Sequence, residues 1–153
     1  MHPVTRAVRD LYARYPYPAT PVALKIGFDV RRALSFADVE RPARPIEVLD
    51  AGCSHGADLL GMAAAQPGVR FTGVDINGVA LHQARREAKR RGLDNVTLAQ
   101  VDLETLEGLP RPRDGYDMIV CSGVIHHLVD PEAALRRLAG ALAPWGVLDL
   151  MVY

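Results

Sequence analysis

Three aspartates stand where a polar ligand could be bound, because each one closes an apolar run that is typical of a buried strand. They are Asp50, Asp75 and Asp102. The Asp75 carboxylate can accept two hydrogen bonds from a ribose diol, and Asp102 is placed to accept one from an adenine amino group. Asp50 directly precedes a glycine-rich turn, where a carboxylate suits an ammonium or hydroxyl group better than a phosphate. Strand, glycine turn and acid together predict a site for a nucleotide-like ligand with a zwitterionic or cationic part.

The turn after Asp50 reads GCSHG, from Gly52 to Gly56. Glycines at both ends can adopt positive φ and let a ligand approach the backbone closely. A helix predicted to begin near Gly56 would direct free N–H groups and the positive end of its dipole toward that ligand. We therefore expect the turn, including Cys53 and Ser54, to form part of the ligand site.

The same five residues also match G-x-S-x-G, the nucleophile elbow of serine hydrolases, with Ser54 as the nucleophile. The acid could be Asp117 or Asp130, and the base His126 or His127. Only 45 residues precede the first predicted strand, and the histidines follow a strand end too closely for that fold. Hydrolase chemistry would also leave the three strand-end aspartates without a role, so we rank it below ligand binding.

Strands and helices are predicted to alternate from position 46 onward. Hydrophobic patterns and turn residues predict strands at 46–50, 69–75, 95–101, 116–122 and 146–153, and helices at 56–66, 79–91 and from Asp130 to a stop at 144–146. Asn77 and Asp130 are the expected N-caps of the second and third of these helices. Short connections between the elements indicate βαβ units and a parallel sheet, whose ligands bind outside the carboxyl ends of the strands.

Residues 1–45 are predicted to be a helical extension, and 46–153 the ligand-binding domain. A helix over 4–14 should end at Tyr15-Pro16-Tyr17-Pro18, because proline removes a donor and fixes φ. A second short helix is expected near 29–39. The aromatic turn is a candidate lid over the ligand, or alternatively a contact that fixes the extension to the domain surface.

Five segments together resemble the class I S-adenosylmethionine-dependent methyltransferases: VLDAGCSHG, FTGVDIN, QVDLETL, YDMIVCSGVIHHLVDP and LAPWGVLDLMVY. They occur in the order and at the spacing of that family, between positions 46 and 153. The resemblance implies an α/β, Rossmann-like fold, in which a parallel sheet of strand order 3-2-1-4-5 carries helices on both faces. The family normally continues past strand five, so we expect a truncated sheet whose apolar edge is covered by a missing C-terminal region or by another subunit.

The resemblance also implies an S-adenosylmethionine site at the turn after strand one and at the ends of strands two to four. Its residues are Asp50, Gly52, Cys53, Ser54, Gly56, Asp75, Ile76, Asp102, Leu103, Cys121 and Ser122. In the family the first acid and the glycines hold the methionine part, the second acid holds the ribose diol, and the third reads the adenine amine. The family usually has glycine where Ser54 stands, and serine is the smallest replacement that carries a side chain.

His126 and His127 follow the fourth strand, over the expected position of the transferred methyl group. Displacement at an activated sulfonium needs mainly proximity and in-line orientation, but an oxygen or nitrogen acceptor also benefits from a base. A neutral imidazole suits that task near pH 7, and His126 is the first candidate. Adjacent histidines point apart and no third ligand is evident, so no metal site is predicted.

Two other functions remain open. A nicotinamide-dependent oxidoreductase would share the fold, but Gly52, Ser54 and Ala57 supply only a degraded form of its G-x-G-x-x-G fingerprint. A cofactor-binding domain without catalysis is the second alternative. The observation that best separates these possibilities is whether S-adenosylmethionine or its demethylated product binds.

Composition limits the partners and the compartment. The chain has 153 residues, nearly half of them hydrophobic, which is enough for one domain with a core. Its formal net charge of zero argues against nucleic acid and favours a small-molecule acceptor. No apolar run approaches a membrane span, and two cysteines make no disulfide framework, so we expect a cytoplasmic protein.

Overall fold

The computed structural model describes residues 1–15, 29–37 and 43–153. The helices are α1 (Pro3–Arg14), α2 (Val30–Phe36), α3 (Ala57–Ala65), α4 (Gly78–Arg90) and α5 (Pro131–Ala139), with one 3₁₀ turn at Ile125–His127. The strands are β1 (Ile46–Ala51), β2 (Val69–Asp75), β3 (Val96–Gln100), β4 (Tyr116–Ser122) and β5 (Leu142–Met151). Every predicted strand and helix is present, and the bounds agree closely except where α5 ends and β5 begins.

The five strands form one parallel sheet of order β3-β2-β1-β4-β5, which confirms the predicted fold class. Successive residues of β1 point to opposite faces and enter different clusters of buried side chains. Val48 packs in the first core cluster, with Leu59 of α3 and Leu81 of α4. Leu49 packs in the second core cluster, with Leu138 of α5. Helices therefore cover both faces, and the carboxyl ends of β1, β2 and β3 meet at one edge.

Local signals explain where the helices begin. Asn77 accepts hydrogen bonds from the backbone N–H groups of Val79 and Ala80, and so caps α4 as predicted. Asp130 accepts one from Ala133 and caps α5. Asn77 follows the end of β2, and Asp130 follows the loop after β4. Both caps therefore lie at the carboxyl ends of the strands, where they fix the directions in which the chain leaves the sheet.

The N-terminal extension is partly integrated into the core. Val30 and Leu34 of α2 are buried in the first core cluster, and the backbone N–H of Val30 donates to Oε1 of Gln66 at 2.9 Å. Helix α1 ends at Arg14, and the backbone N–H of its C-cap residue, Tyr15, still donates to the carbonyl oxygen of Leu11. Pro16, Tyr17 and Pro18 lie outside the described residues, so the division at residue 45 and the lid role of this turn stay predictions.

Strand β5 begins earlier than the sequence predicts. Helix α5 ends at Ala139, and Leu142 already pairs with Tyr116, whereas the prediction extended the helix to 144–146 and began the strand at 146. A register irregularity follows, and it accommodates Pro144, which cannot donate to the ladder. The prediction was wrong because it treated the proline as a stop, although a proline at a bulge or an edge is compatible with a strand.

The irregular segment around Pro144 is bound by a buried carboxylate, Asp117, at the amino ends of the strands. Asp117 is only 1 % exposed, and its two oxygens accept from the Arg44 guanidinium, at 2.7 and 3.2 Å. They also accept from the backbone N–H of Glu47 at 2.8 Å and from the Trp145 indole at 2.6 Å. The Asp117 side chain thus joins β4 to the start of β1 and to β5. It does so at the amino ends of the strands, which lie opposite the candidate ligand site.

The described ranges contain no membrane-spanning helix, no metal-ligand cluster and no disulfide. No helix there is long and apolar enough to cross a membrane. No group of three potential metal ligands is found among the same residues. Cys53 and Cys121 are both buried free thiols, and they belong to different core clusters.

Candidate functional site

The glycine-rich turn has the backbone geometry that its sequence predicts. Gly52 and Gly56 have φ of 96° and 81°, and α3 begins at the residue after Gly56. The backbone N–H groups of Gly52 and Cys53 both donate to the carbonyl oxygen of Val74, at 2.8 and 3.0 Å. The turn is therefore fixed to the end of β2, where Asp75 follows.

Ser54 occupies the left-handed region in the middle of this turn, with φ of 51°. An L residue with a side chain adopts that conformation at a cost, and this explains why glycine is the usual residue there. The Ser54 hydroxyl lies 3.2 Å from Nδ1 of His55. The turn therefore tolerates serine at this position, but the backbone conformation of the turn does not require it.

We expect Ser54→Gly to keep the turn intact and to change the free energy of unfolding by no more than about 1 kcal/mol, since glycine relieves the left-handed strain but adds unfolded-state entropy. Ser54→Val should lower the melting temperature by several degrees, because a β-branched residue is a true outlier at positive φ. Thermal denaturation of both variants measures this. A Ser54→Gly variant as unstable as Ser54→Val would show that the hydroxyl, and not the backbone, maintains the turn.

Asp75 lies at the centre of the site. Its Oδ2 accepts from the backbone N–H of Ser54 and its Oδ1 from that of Asn77, each at 2.8 Å. Burial raises the pKa of Asp75, while hydrogen bonds from Asn77, Ser54 and Ile76 act in the opposite direction. The carboxylate therefore ties the glycine turn to the start of α4, and it keeps some capacity to accept hydrogen bonds from a ligand.

Asp50 is a buried carboxylate, and the charged groups of the described residues that act on it, Asp58 and Asp75, are acids as well. It is 8 % exposed, and no hydrogen bond reaches its side chain from the described part of the chain. Burial and the nearby charges of Asp58 and Asp75 raise its pKa from 3.8 to about 7. An ionised carboxylate in this position is costly unless a cation or a set of donors completes the site.

Asp102 and Glu104 connect the loops that follow β3 and β4. Oδ1 of Asp102 accepts from the backbone N–H of Glu104 at 2.9 Å, and Asp102 is partly exposed at the ligand edge. Oε1 of Glu104 accepts from the backbone N–H of Val129 at 2.5 Å. The expected adenine-reading aspartate is thereby coupled to the segment that carries the two histidines, a link that sequence reasoning missed.

The other predicted site residues differ in what they can present. Ile76 is partly exposed and its carbonyl accepts from Gln100 Nε2, while Ser122 is exposed at the end of β4. The side chains of Leu103 and Cys121 are buried in the second core cluster. Burial raises the pKa of the Cys121 thiol to about 11. These two residues face the core, so a ligand would meet their backbone.

The loop after β4 approaches the glycine turn closely. A Cβ at Gly52 would lie 2.4 Å from Cγ2 of Val124, a distance that no side chain tolerates. Gly52 is therefore required by its protein neighbour as well as by its positive φ. This contact places the histidine segment beside the turn.

His126 and His127 form the 3₁₀ turn after β4, with ring centroids 4.1 Å apart. Both ring nitrogens of His126 are buried and have no hydrogen-bond partner among the described residues. Burial and the neighbouring His126 lower the pKa of His127, which keeps that imidazole neutral at pH 7. The two side chains thus lie at the carboxyl ends of the strands, beside the acidic turn, and their role in methyl transfer stays a prediction.

The geometry does not assemble a serine hydrolase. Asp117 is bound to Arg44 and Trp145 at the opposite edge, and Asp130 caps α5. Both acids proposed for Ser54 are therefore engaged elsewhere, and His126 stacks on His127 instead of contacting Ser54.

Comparisons with known proteins agree with the fold and identify the family. The model of a methyltransferase domain family matches residues 49–148. The chain belongs to this family, the class I S-adenosylmethionine-dependent methyltransferase domains. The resemblance seen in the sequence is thereby confirmed.

The relatives are longer than this chain. A protein described as uncharacterized from a Synechococcus strain is 36% identical over an alignment of 159 residues. The alignment covers 98% of this chain and 37% of that protein. A ubiquinone biosynthesis O-methyltransferase of Alkalilimnicola ehrlichii is 32% identical over 99 residues, or 65% of this chain and 38% of that enzyme. The chain thus spans less than half the length of these curated relatives.

A solved structure supports the fold independently. The crystal structure of the cyclase SpnF superposes with a TM-score of 0.70 at 23% identity and covers 95% of this chain and 59% of that one. At this level of identity the likeness establishes the Rossmann-like architecture and no particular reaction.

Proposed function

We propose that this chain binds S-adenosylmethionine at the carboxyl edge of β1, β2 and β3 and donates its methyl group to a small-molecule acceptor. The observation that carries the proposal is the Asp50 carboxyl, which is buried beside Asp75 with no donor from the described residues. An ammonium group bound there would satisfy the carboxylate, and the positive charge of a sulfonium would offset the negative charges nearby. The family to which the chain belongs supports the same ligand.

The residues present fit the parts of this cofactor. Asp50 and the turn from Gly52 to Gly56 would hold the methionine part, since the turn opens α3 at a residue of positive φ. Asp75 would accept the two ribose hydroxyls with lone pairs that Ser54 and Asn77 leave free. The adenine would lie between Ile76 and the loop of Asp102, whose carboxylate is held by the turn that it forms with Glu104.

When bound, S-adenosylmethionine supplies a methyl group on an electron-poor sulfonium. The protein's contribution is then to orient the acceptor in line and to remove a proton where the acceptor needs it. His127 is neutral at pH 7 and can accept that proton, and His126 can do so if its ring becomes accessible. The name of the Alkalilimnicola relative, an O-methyltransferase, supports an oxygen acceptor.

Two further proposals concern partners. The neutral net charge favours a small-molecule acceptor over nucleic acid. Leu150, Met151 and Val152 are exposed at the β5 edge, which supports the idea that further chain or another subunit covers it.

Protonation of Asp50 should make cofactor affinity depend on pH. Because the folded-state pKa is raised to about 7, the carboxyl is largely protonated below that pH and cannot pair with an ammonium group. We expect the dissociation constant of S-adenosylhomocysteine to increase by up to about tenfold for each unit below pH 7 and to be nearly constant above it. Titration calorimetry at pH 6, 7 and 8 measures this.

Asp50→Asn is the matched control for this experiment. It should bind more weakly than wild type at pH 8, and the difference between the two should shrink by pH 6. In the free protein the raised pKa means that the folded state binds the proton more tightly than the unfolded state. The contribution of Asp50 to the free energy of unfolding is therefore present at low pH and is lost as the pH rises from about 4 to about 7. Equal pH dependence in wild type and Asp50→Asn would contradict the assigned role.

A further inference from the structure

The histidine segment, residues 123–130, connects β4 to α5 and contains a single short turn of regular structure. This is the 3₁₀ turn Ile125–His127, closed by backbone hydrogen bonds to the carbonyl oxygens of Val124 and Ile125. A 3₁₀ turn of three residues has poor hydrogen-bond geometry and contributes little to its own stability. The position of the two imidazole rings therefore depends on the contacts that fix the segment at its ends.

Three contacts fix the histidine segment to the rest of the domain. The backbone N–H of Gly123 donates to the carbonyl oxygen of Met151 in β5 at 2.9 Å. The side chain of Ile125 is buried in the second core cluster. At the far end, Oε1 of Glu104 accepts from the backbone N–H of Val129 at 2.5 Å. This last contact comes from the loop that follows β3, which carries the aspartate proposed to bind adenine.

Val129 lies at the joint between two elements. The hydrogen bonds of the 3₁₀ turn end with the N–H of Leu128, and the cap of α5 begins with the N–H of Ala133. A hydrogen bond that accepts with a charged carboxylate is stronger than one between neutral groups. The bond from Val129 to Glu104 therefore holds the joint at which the histidine turn meets α5.

The loop after β3, residues 102–106, has a closely defined conformation. The carbonyl oxygen of Asp102 accepts from the N–H groups of Thr105 and Leu106, at 3.1 and 2.8 Å. Oδ1 of Asp102 accepts from the N–H of Glu104 at 2.9 Å. Leu106 has φ of 54° and is buried in the second core cluster, so packing holds it in a conformation that costs energy. Asp102 and Glu104 thus belong to one rigid unit.

We propose that Glu104 is a positioning residue, which fixes the two histidines through Val129 and transmits occupancy of the adenine site to them. The proposal rests on the proposed function and adds the residue that joins its cofactor side to its acceptor side. An adenine amino group that donates to Asp102 draws that carboxylate toward the ligand, while the carboxylate stays bound to the N–H of Glu104. Because the loop is rigid, the Glu104 carboxylate and the Val129 N–H move with it.

The first measurement uses the ligand-free chain. Hydrogen exchange of the Val129 amide, followed by NMR, should be roughly tenfold faster in Glu104→Ala than in wild type, because the amide loses its acceptor. Glu104→Gln should restore most of the protection, since its amide oxygen can still accept. Glu107→Ala is the matched control: this exposed glutamate directly follows the loop, and its removal should leave the exchange rate unchanged.

The second measurement uses adenosine, which carries the adenine and the ribose but no methionine part that could touch the histidines. In wild type and in Glu104→Gln, saturating adenosine should shift the His127 ring resonances and slow exchange of the Val129 amide by roughly threefold or more. Glu104→Ala should bind adenosine within about fivefold of the wild-type affinity, yet show neither change. A role in stability alone would lower the melting temperature of Glu104→Ala and leave both adenosine effects in place.

Two matched comparisons isolate the route of transmission. Inosine has a carbonyl oxygen in place of the adenine amino group, so it cannot donate to Asp102 from that position and should leave Val129 exchange unchanged when it is bound. Val129→Pro removes the donor instead of the acceptor, and the extended conformation of Leu128, with ψ of 156°, is compatible with a following proline. This variant should lose the adenosine-induced shift of His127, as Glu104→Ala does.

The outcomes separate this proposal from the one on which it depends. Calorimetry with S-adenosylhomocysteine reports cofactor binding, and no binding to the wild-type chain would overturn both. If the cofactor product binds but adenosine affects His127 and Val129 equally in wild type and Glu104→Ala, Glu104 transmits nothing and only the present inference is wrong. Unchanged Val129 exchange in ligand-free Glu104→Ala would overturn the claim that this carboxylate holds the segment.

Discussion

Asp75→Ala should abolish the thermal stabilisation that S-adenosylhomocysteine gives to the wild-type chain. At a ligand concentration of 100 times the dissociation constant, binding adds about 2.7 kcal/mol to the wild-type stability, equivalent to several degrees in melting temperature. The Asp75 carboxylate is the proposed ribose ligand, and it also holds the N–H groups of Ser54 and Asn77. Its removal therefore takes away a direct contact and loosens the turn that positions the others.

Asp94→Ala is the matched control for this measurement. Asp94 is an exposed aspartate that lies before β3, away from the carboxyl edge, so its removal should leave both the melting temperature and the ligand shift unchanged. The Asp75 variant should start from a lower melting temperature, because two N–H groups lose their acceptor. A ligand-induced shift of wild-type size in Asp75→Ala would exclude the assigned role of this residue.

Asp117→Ala should cause the largest loss of stability, about 3–5 kcal/mol, because it leaves Arg44 and two partly buried donors without their buried acceptor. For a chain of this length that loss corresponds to a fall of roughly 10 °C in melting temperature. The effect is structural, since Asp117 lies at the amino ends of the strands. Ligand affinity, measured below the melting temperature, should change little.

Asp149→Ala provides the comparison on the neighbouring strand, since Asp149 of β5 is exposed and its loss should cost little. Asp117→Asn should fall between the two, because its amide oxygen can still accept while its NH₂ group faces the Arg44 donors. If Asp117→Ala melts within two or three degrees of wild type, the buried network does not hold β5 in the way that we infer.

Strand ends and helix starts could be predicted from the sequence because their signals are local. Asn77 and Asp130 cap the helices that they were expected to cap. Asp75 ends β2 as expected, and Asp50 lies one residue before the end of β1. Hydrophobic alternation and cap residues act over a few positions, so they are readable without knowledge of distant contacts.

Other features depend on residues far apart in the chain and could not be predicted. Strand β5 begins early, at Leu142 opposite Tyr116, and its Trp145 donates to Asp117 across 28 positions. The requirement for glycine at position 52 comes partly from Val124, and the raised pKa of Asp50 depends on which acids the fold brings to it. Neither spacing nor composition contains that information.

The fate of the N-terminal segment shows the same limit. The hydrophobic pattern predicts α2, but nothing in it indicates that Val30 and Leu34 enter the first core cluster. The hydroxyl of Ser54 first suggested a nucleophile, whereas its backbone conformation is what matters in the turn. In each case the sequence predicts the element, whereas the residues that surround the element are known only from the structure.

A crystal structure of the chain with S-adenosylhomocysteine tests the central claim most directly. The account predicts both ribose hydroxyls at hydrogen-bond distance from the Asp75 carboxylate, the amino group beside Asp50 and the sulfur facing the segment of His126 and His127. A ligand bound away from these strand ends, or a ribose that does not contact Asp75, would contradict it.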